Sequence, residues 1–453
     1  MKFLIVLWLS KAIAWAVNII DKNRGTNYAG KIAIKVMPDF VRHVKGIDYD
    51  KVIFVTGTNG KSTTTNLIRH TFLSAGKSVA CNAEGANMLP GVATTLIKNT
   101  TLMGKLNKEY LILEIDERSF PGIHKQLPGR HMGFTNLQKD QVQRNGDPDF
   151  ILRKFQQAIT KDMTLYLNNE EPRSRSLEDF CGEVCYFGVA DNSQTYSRSD
   201  FYDVTLPCPK CGHAIKFDRF NLAHIGPFHC TGCDYRSVER SNVQIEEVDF
   251  ENKTFRHNGK EWKIHYNNPF YIYNYAMCIA MGRRFGLTDQ QMIDAFAAFE
   301  NPVALEHVFL YRGKEIHFLR AKQENPEAFQ SQLDIIASDK RKKAIMLGLY
   351  RVADFQPHYT GSFYFFDCDF DKVVASGVEH YVAFSENLAY DLAARMIHAG
   401  APEEDVTILD TDDIPTILKP LDSFETDVVY LVTNSGHFKP IKNYMFQGGA
   451  QNA

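Results

Sequence analysis

The stretch that most restricts this chain is 51–66, Lys51-Val52-Ile53-Phe54-Val55-Thr56-Gly57-Thr58-Asn59-Gly60-Lys61-Ser62-Thr63-Thr64-Thr65-Asn66. Residues 52–55 are a β-branched and aromatic apolar run, the signature of a buried strand. The run breaks at the two-glycine turn 57–60, and a helix-like pattern starts at Ser62. Strand, glycine turn and helix N-terminus in that order make a phosphate cradle. Glycine lets backbone N–H groups approach phosphate oxygens, and the helix end adds partial positive charge. Gly57, Thr58, Asn59, Gly60, Lys61, Ser62 and Thr63 are therefore the candidate nucleotide-binding residues. Lys61 would bring its charge to the β/γ-phosphates of ATP, and Ser62 a hydroxyl to Mg²⁺. Val55 stands where the commoner G-x-x-x-x-G-K-[ST] loop has its first glycine.

A second apolar run, 110–113, ends in Glu114-Ile115-Asp116-Glu117. In an open α/β sheet such a strand end lies beside the phosphate loop. Oxygen ligands there suit Mg²⁺, which keeps several waters and needs few protein groups. Glu114 is the first candidate metal ligand and catalytic carboxylate, with Asp116 or Glu117 in support; a solvated strand end is the plain alternative. Further strands are expected at 78–81, 133–136, 165–169 and 184–188, alternating with helices, which predicts a doubly wound parallel sheet. The loop 84–91 is small and polar, suited equally to close approach of a ligand and to a surface turn. Polar groups also crowd 139–147. Asn274, on a helix opened by Asn268-Pro269, could meet an adenine edge, whereas the aromatics around it read as core.

Two knuckles, Cys208-Pro-Lys-Cys211 and Cys230-Thr-Gly-Cys233, interrupt the alternation. Four thiolates so spaced predict a zinc ribbon, with Gly212 and Gly232 easing the turns. Four cysteines leave no open coordination position, so this zinc would be structural. A redox role fits poorly, because there are two CxxC pairs and neither opens a helix after a strand. The other five of the nine cysteines read as core or incidental residues.

Hydrophobic content of 44% and charged content of 23% are those of an ordinary globular protein, and a net charge of -3 gives no nucleic-acid or anionic-membrane footprint for the chain as a whole. Near the start, 3–9 is apolar but Lys11 interrupts the run. That favours an amphipathic helix docking on the next domain or on a membrane-linked substrate, with a signal peptide as the alternative. Towards the other end, strands at 343–347, 381–384, 406–409 and 428–432 and a helix over 388–399 predict a second, smaller Rossmann-like α/β domain without a phosphate loop. The expected divisions are a helical leader (1–45), an ATP-binding domain (46–300, ribbon about 203–238) and a C-terminal α/β domain (301–453).

The short Gly57-Thr-Asn-Gly-Lys-Ser-Thr63 loop resembles that of the Mur ligase and folylpolyglutamate synthase superfamily. Glu84-Gly-Ala-Asn-Met88, Leu113-Glu-Ile-Asp-Glu117, the stretch 135–146 with Asp140-Gln141, the four-cysteine ribbon and Asp367-Cys-Asp-Phe-Asp371 narrow the resemblance to the MurT family over nearly the whole chain. It implies a cytoplasmic ligase subunit, either free or at the inner face of the membrane, that works with a GatD-like glutaminase. ATP would activate the D-glutamate α-carboxylate of the lipid II stem peptide as an acyl phosphate, and ammonia from the partner would convert it to the amide. Asp354 matches the first aspartate of a family stretch linked to the partner's catalytic triad; the second falls near Thr360-Gly361. Tyr271 stands where the family has asparagine, and Ala304-Leu305 where it has Gly-Arg. These departures keep two other readings open: a ligase adding an amino acid in place of ammonia, and a nucleotide-binding subunit with little catalysis.

Overall fold

The computed structural model describes residues 1–20, 27–82, 86–138, 147–197, 206–222, 225–265, 269–300, 306–321, 325–349, 363–386 and 388–452. They fall into two units, one ending at residue 301 and the other beginning at 302. In the first, the run after Lys51 becomes β1 (Val52–Thr56), followed by β2 (Val79–Cys81), β3 (Tyr110–Glu114), β4 (His131–Phe134), β5 (Thr164–Asn168) and β6 (Glu183–Val189). After the ribbon strands β7 (Leu206–Pro207), β8 (Ala214–Phe217) and β9 (Phe228–Cys230), β10 (Val243–Ile245) rejoins the sheet. Its order is β10-β6-β5-β4-β1-β3-β2, with every pair parallel. The chain winds outward from β1 to β2, returns to β3, and crosses β1 to reach β4. That reversal puts a crevice at the carboxyl ends of β1, β3 and β4, where open α/β sheets bind ligands.

Seven helices of this unit matter here: α1 (Lys2–Ile20), α2 (Tyr28–Val36), α3 (Lys61–Ser74), α4 (Leu89–Lys98), α5 (Pro148–Ala158), α6 (Phe270–Arg284) and α7 (Asp289–Ala297). The period of two along β1 divides them. Val52 and Phe54 join one core with α1, α2, α4 and α5, and Ile53 and Val55 join another with α3, α6 and α7. Both faces are thus covered, which explains why the strands are continuous apolar runs. Residues 1–45 are expected as a helical leader, and their described parts, 1–20 and 27–45, pack into the first core through Val6, Leu7, Ala33 and Phe40. At Gly30 an added Cβ would lie 1.8 Å from the Pro90 carbonyl oxygen, so α2 and α4 meet at a point only glycine allows. Beyond β10, β11 (Glu247–Asp249), β12 (Thr254–His257) and β13 (Lys260–Lys263) form an antiparallel sheet. It buries Trp262 beneath Phe255.

The second unit has β14 (Glu306–Tyr311), β15 (Lys314–Arg320), β16 (Lys343–Gly348), β17 (Val378–Phe384), β18 (Val406–Leu409), β19 (Val428–Thr433) and β20 (Gln451–Asn452). The order is β18-β17-β16-β19-β15-β14-β20. Strands β15 to β19 are parallel, and β14 and β20 make an antiparallel edge. The four strands expected from sequence are present; the hairpin β14–β15 is an addition to them.

A buried carboxylate ties α6 to the first sheet. Glu170, just past β5, accepts hydrogen bonds from Tyr273 Oη and from the Val189 backbone N–H, each at 2.6 Å. Burial pushes its pKa from 4.5 up to about 7, against the pull of those donors. A folded-state value above the unfolded one means the native state holds the proton more tightly. Its contribution to stability is full below about 4.5 and is lost as pH rises through about 7. Glu170→Gln mimics the protonated form, so wild-type thermal stability should fall relative to this variant as pH is raised across that window. Parallel melting profiles for the two proteins would contradict this account of Glu170.

Candidate functional site

The turn after β1 is shaped by two glycines. Gly57 has φ +122° and Gly60, the residue before α3, has φ +83°. An added Cβ at Gly57 would lie 2.2 Å from Thr135 Oγ1, and one at Gly60 would lie 2.7 Å from Asn274 Nδ2. The β4 exit therefore presses against the start of the loop, and α6 against its end.

Hydrogen bonds lace the loop to the β4 exit. Thr58 N–H donates to the Asn136 carbonyl at 2.8 Å, and Asn59 N–H to Asn136 Oδ1 at 3.0 Å. Gln138 N–H donates to Thr58 Oγ1 at 2.9 Å, and Asn59 Nδ2 to Gln138 Oε1 at 2.9 Å. On the other side, Asn82 brackets the end of β3 by accepting from Glu114 N–H and donating to its carbonyl, both at 2.8 Å. Asn87 Nδ2 donates to Glu114 Oε1 at 3.0 Å. Asn82, Asn87, Asn136 and Gln138 thus hold the site together, roles that sequence reasoning did not assign.

Lys61 opens α3 and folds back over the turn. Its ammonium donates to the carbonyls of Gly57 and Thr58 and pairs with Glu117 at 2.9 Å. Both side chains are nearly buried, 13% and 10% exposed, so this pair is screened far less than a surface one. Of the supporting acids, Glu117 faces the loop, whereas Asp116 accepts from Arg118 N–H and Ser119 Oγ in a local turn. Ser62 is half-buried and Thr63 buried in the first turn of α3.

Two buried atoms show what the site lacks. Among the described residues, Glu114 Oε2 and Asn274 Nδ2 have no hydrogen-bond partner, although Glu114 is 2% and Asn274 4% exposed. An unpaired buried carboxylate oxygen and an unpaired amide donor are costly. They fit a cation and an anionic oxygen, respectively. Glu114, with the Ser62 hydroxyl, could hold Mg²⁺; Lys61, Asn274 and the N-terminal amides of α3 could hold phosphates. Asn274 lies against Gly60 at the end of the glycine turn, where it could meet either a phosphate or the adenine edge expected from sequence. Tyr271 is half-buried against the α3–α6 core. Glu84-Gly85, 139–146, Ala304-Leu305, Asp354 and Thr360-Gly361 lie outside the described residues.

The ribbon brings its four cysteines together. Cys208 and Cys233 sulfurs are 3.8 Å apart and those of Cys211 and Cys230 3.4 Å; all four lie within 4.8 Å of one another. Tetrahedral zinc at about 2.3 Å from each sulfur sets neighbouring sulfurs about 3.8 Å apart, so the cluster can hold a metal. Gly212, at φ +80°, closes the first knuckle, and Tyr235 Oη anchors the ribbon to the Pro172 carbonyl at 2.7 Å.

The crossed parallel sheet, the short glycine loop and the acids at the next strand's tip define a Mur ligase-type fold, and residues 55–207 match the Mur ligase middle domain. Residues 323–435 match the MurT ligase C-terminal domain. The chain is 27% identical over 373 residues to the MurT subunit of lipid II isoglutaminyl synthase (glutamine-hydrolyzing) from Staphylococcus aureus strain COL, covering 82% of each. The corresponding subunit from Streptococcus pneumoniae strain R6 is 24% identical over 421 residues, covering 90% of each. In fold it is similar to a pseudomurein peptide ligase type C from Methanothermus fervidus, with a TM-score of 0.65 at 17% identity, over 91% of this chain and 81% of that one. The two family matches and the MurT relatives together support a MurT-like Mur ligase subunit.

Proposed function

We propose that this chain is an ATP-dependent carbon–nitrogen ligase acting in peptidoglycan synthesis, and that it amidates the D-glutamate α-carboxylate of a lipid II stem peptide. The observation that carries the reading is the Lys61–Glu117 pair at the glycine turn together with the incompletely satisfied Glu114 at the tip of β3. The MurT relatives, named as isoglutaminyl synthase subunits, support the choice of substrate and a glutaminase partner of the GatD kind.

The chemistry follows from charge. The substrate carboxylate attacks the γ-phosphorus of ATP, the bond to the β-phosphate oxygen breaks, and an acyl phosphate and ADP result. Ammonia then attacks the acyl carbon, phosphate leaves with the electron pair, and loss of a proton gives the amide. Lys61 exchanges its bond to Glu117 for phosphate oxygens and spreads the negative charge that builds on them. The amides at the start of α3 do the same without reorganising, because the Asn136 and Gln138 bonds already fix the turn. Magnesium held by Glu114 and Ser62 would supply further charge neutralisation. Asp354 is proposed to serve the partner interface. A lipid-linked acceptor places the reaction at the cytoplasmic face of the membrane.

The four cysteines are proposed to hold structural zinc. Metal analysis of the purified chain should find stoichiometric zinc that a chelator removes only as the ribbon opens. A metal-free chain whose four thiols alkylate at once would exclude the site.

Ammonia, or glutamine plus the glutaminase, should stimulate ATP turnover with a lipid II acceptor. Lys61→Ala should reduce that turnover by two orders of magnitude or more, on the order of losing a main transition-state contact. Stimulation by an amino acid but not by ammonia would favour an amino acid ligase. Equal, negligible rates in both proteins would favour a noncatalytic subunit.

A further inference from the structure

Helix α1 is apolar on the side that faces outward. Val6, Leu7 and Ala14 are buried in the first core, and the Lys11 ammonium is tied to the carbonyls of Ile97 and Thr100. On the opposite side, Ile5, Trp8, Leu9 and Trp15 are 55%, 48%, 51% and 70% exposed. Their spacing lines them up on one stripe of the helix, where a helix on a globular protein ordinarily carries polar groups. The loop after α4 continues the patch with Leu102 and Met103, each 66% exposed, and Trp8 Nε1 donates to the Leu102 carbonyl at 2.8 Å. Large exposed apolar side chains gathered this way mark an interaction surface.

The surrounding charge identifies the partner. Besides the tied Lys11, the stretches 1–20, 27–38 and 86–108 contain six lysines and no aspartate or glutamate, the bordering acids among the described residues being Asp39 and Glu109, in a chain whose net charge is -3. Lys2, Lys31, Lys35, Lys98 and Lys105 are exposed, and α1, α2 and α4 pack on one another. We propose that this face lies on a membrane of anionic phospholipid. Trp8 and Trp15 sit at the headgroup level, Ile5, Leu9, Leu102 and Met103 reach into the acyl boundary, and the lysines meet lipid phosphates. A second copy of the chain is a poorer occupant, because a two-fold contact would bring the same lysines face to face. Spanning is also disfavoured: the inner side of α1 is committed to the core, and among the described residues no helix is long and apolar enough to cross a membrane. The surface is independent of the ligase reading and could exist on a chain with no catalysis.

The full chain should sediment with phosphatidylcholine vesicles containing phosphatidylglycerol, sediment less with phosphatidylcholine alone, and be released by high salt. Its tryptophan emission should shift to the blue on binding. Ile5→Glu combined with Trp15→Glu changes only exposed positions and should lower vesicle affinity by on the order of tenfold or more, with an unchanged circular dichroism spectrum. Lys98→Glu combined with Lys105→Glu should abolish the preference for anionic lipid. Failure of the wild-type chain to bind vesicles, equal binding by the Glu variants, or carbonate-resistant insertion would overturn the proposal. So would a dimer in solution that the α1 variant dissolves while vesicle binding is absent.

Discussion

The contact on which this architecture rests is the approach of the β4 exit to Gly57. With a Cβ position only 2.2 Å from Thr135 Oγ1, no side chain fits at residue 57 unless the two strand ends part. Because they do not part, Asn136 reaches the amides of Thr58 and Asn59, and Gln138 closes the ring. The turn is then rigid before any ligand arrives, and the first amides of α3 need not reorganise when charge appears in front of them. The seven-stranded sheet serves this end: β1 lies between β3 and β4, so that acids, amides and glycines from three strand ends converge.

Electrostatics completes the arrangement. Lys61 is held by two carbonyls and Glu117 in a place that is nearly dry. A buried ammonium without such partners would be expensive, and the same partners can yield to phosphate oxygens of higher charge. Glu114 differs from Glu117, since one of its oxygens is occupied by Asn87 and the other by nothing among the described residues. Two carboxylates three residues apart are thereby given separate tasks, one neutralising the lysine and the other open to a cation.

Much of this was legible in the chain, and the exceptions share a cause. Strand β1, helix α3, strand β3 and the four-cysteine ribbon are read from contiguous signals: apolar runs, adjacent glycines, paired CxxC knuckles. The bracing roles of Asn136 and Gln138 are illegible, because their partners lie 77 to 80 residues away, and those of Asn82 and Asn87 because Glu114 lies 32 and 27 residues away. Asn274 is legible as a candidate, but its packing against Gly60 comes only from the fold. The hairpin β14–β15 was hidden because its turn is Arg312-Gly313, both at positive φ. Arginine there lacks the Asn-Gly or Asp-Gly signature of such turns. Strand β13 was hidden because only Trp262 of its four residues is buried. For α1, the amphipathic helix expected from sequence is corrected by the fold: Val6, Leu7 and Ala14 are buried, yet Ile5, Trp8, Leu9 and Trp15 on the outer side are apolar too.

The central claim is that the glycine turn holds a triphosphate and that Glu114 shares its magnesium. Calorimetric titration of ATP into the wild-type chain and into Glu114→Gln, each with magnesium and with chelator, tests it most directly. The account predicts that magnesium strengthens binding to the wild type, and that Glu114→Gln keeps the magnesium-free affinity but loses most of the gain. An equal magnesium effect in both proteins, or no binding of ATP to the wild type under either condition, would contradict it.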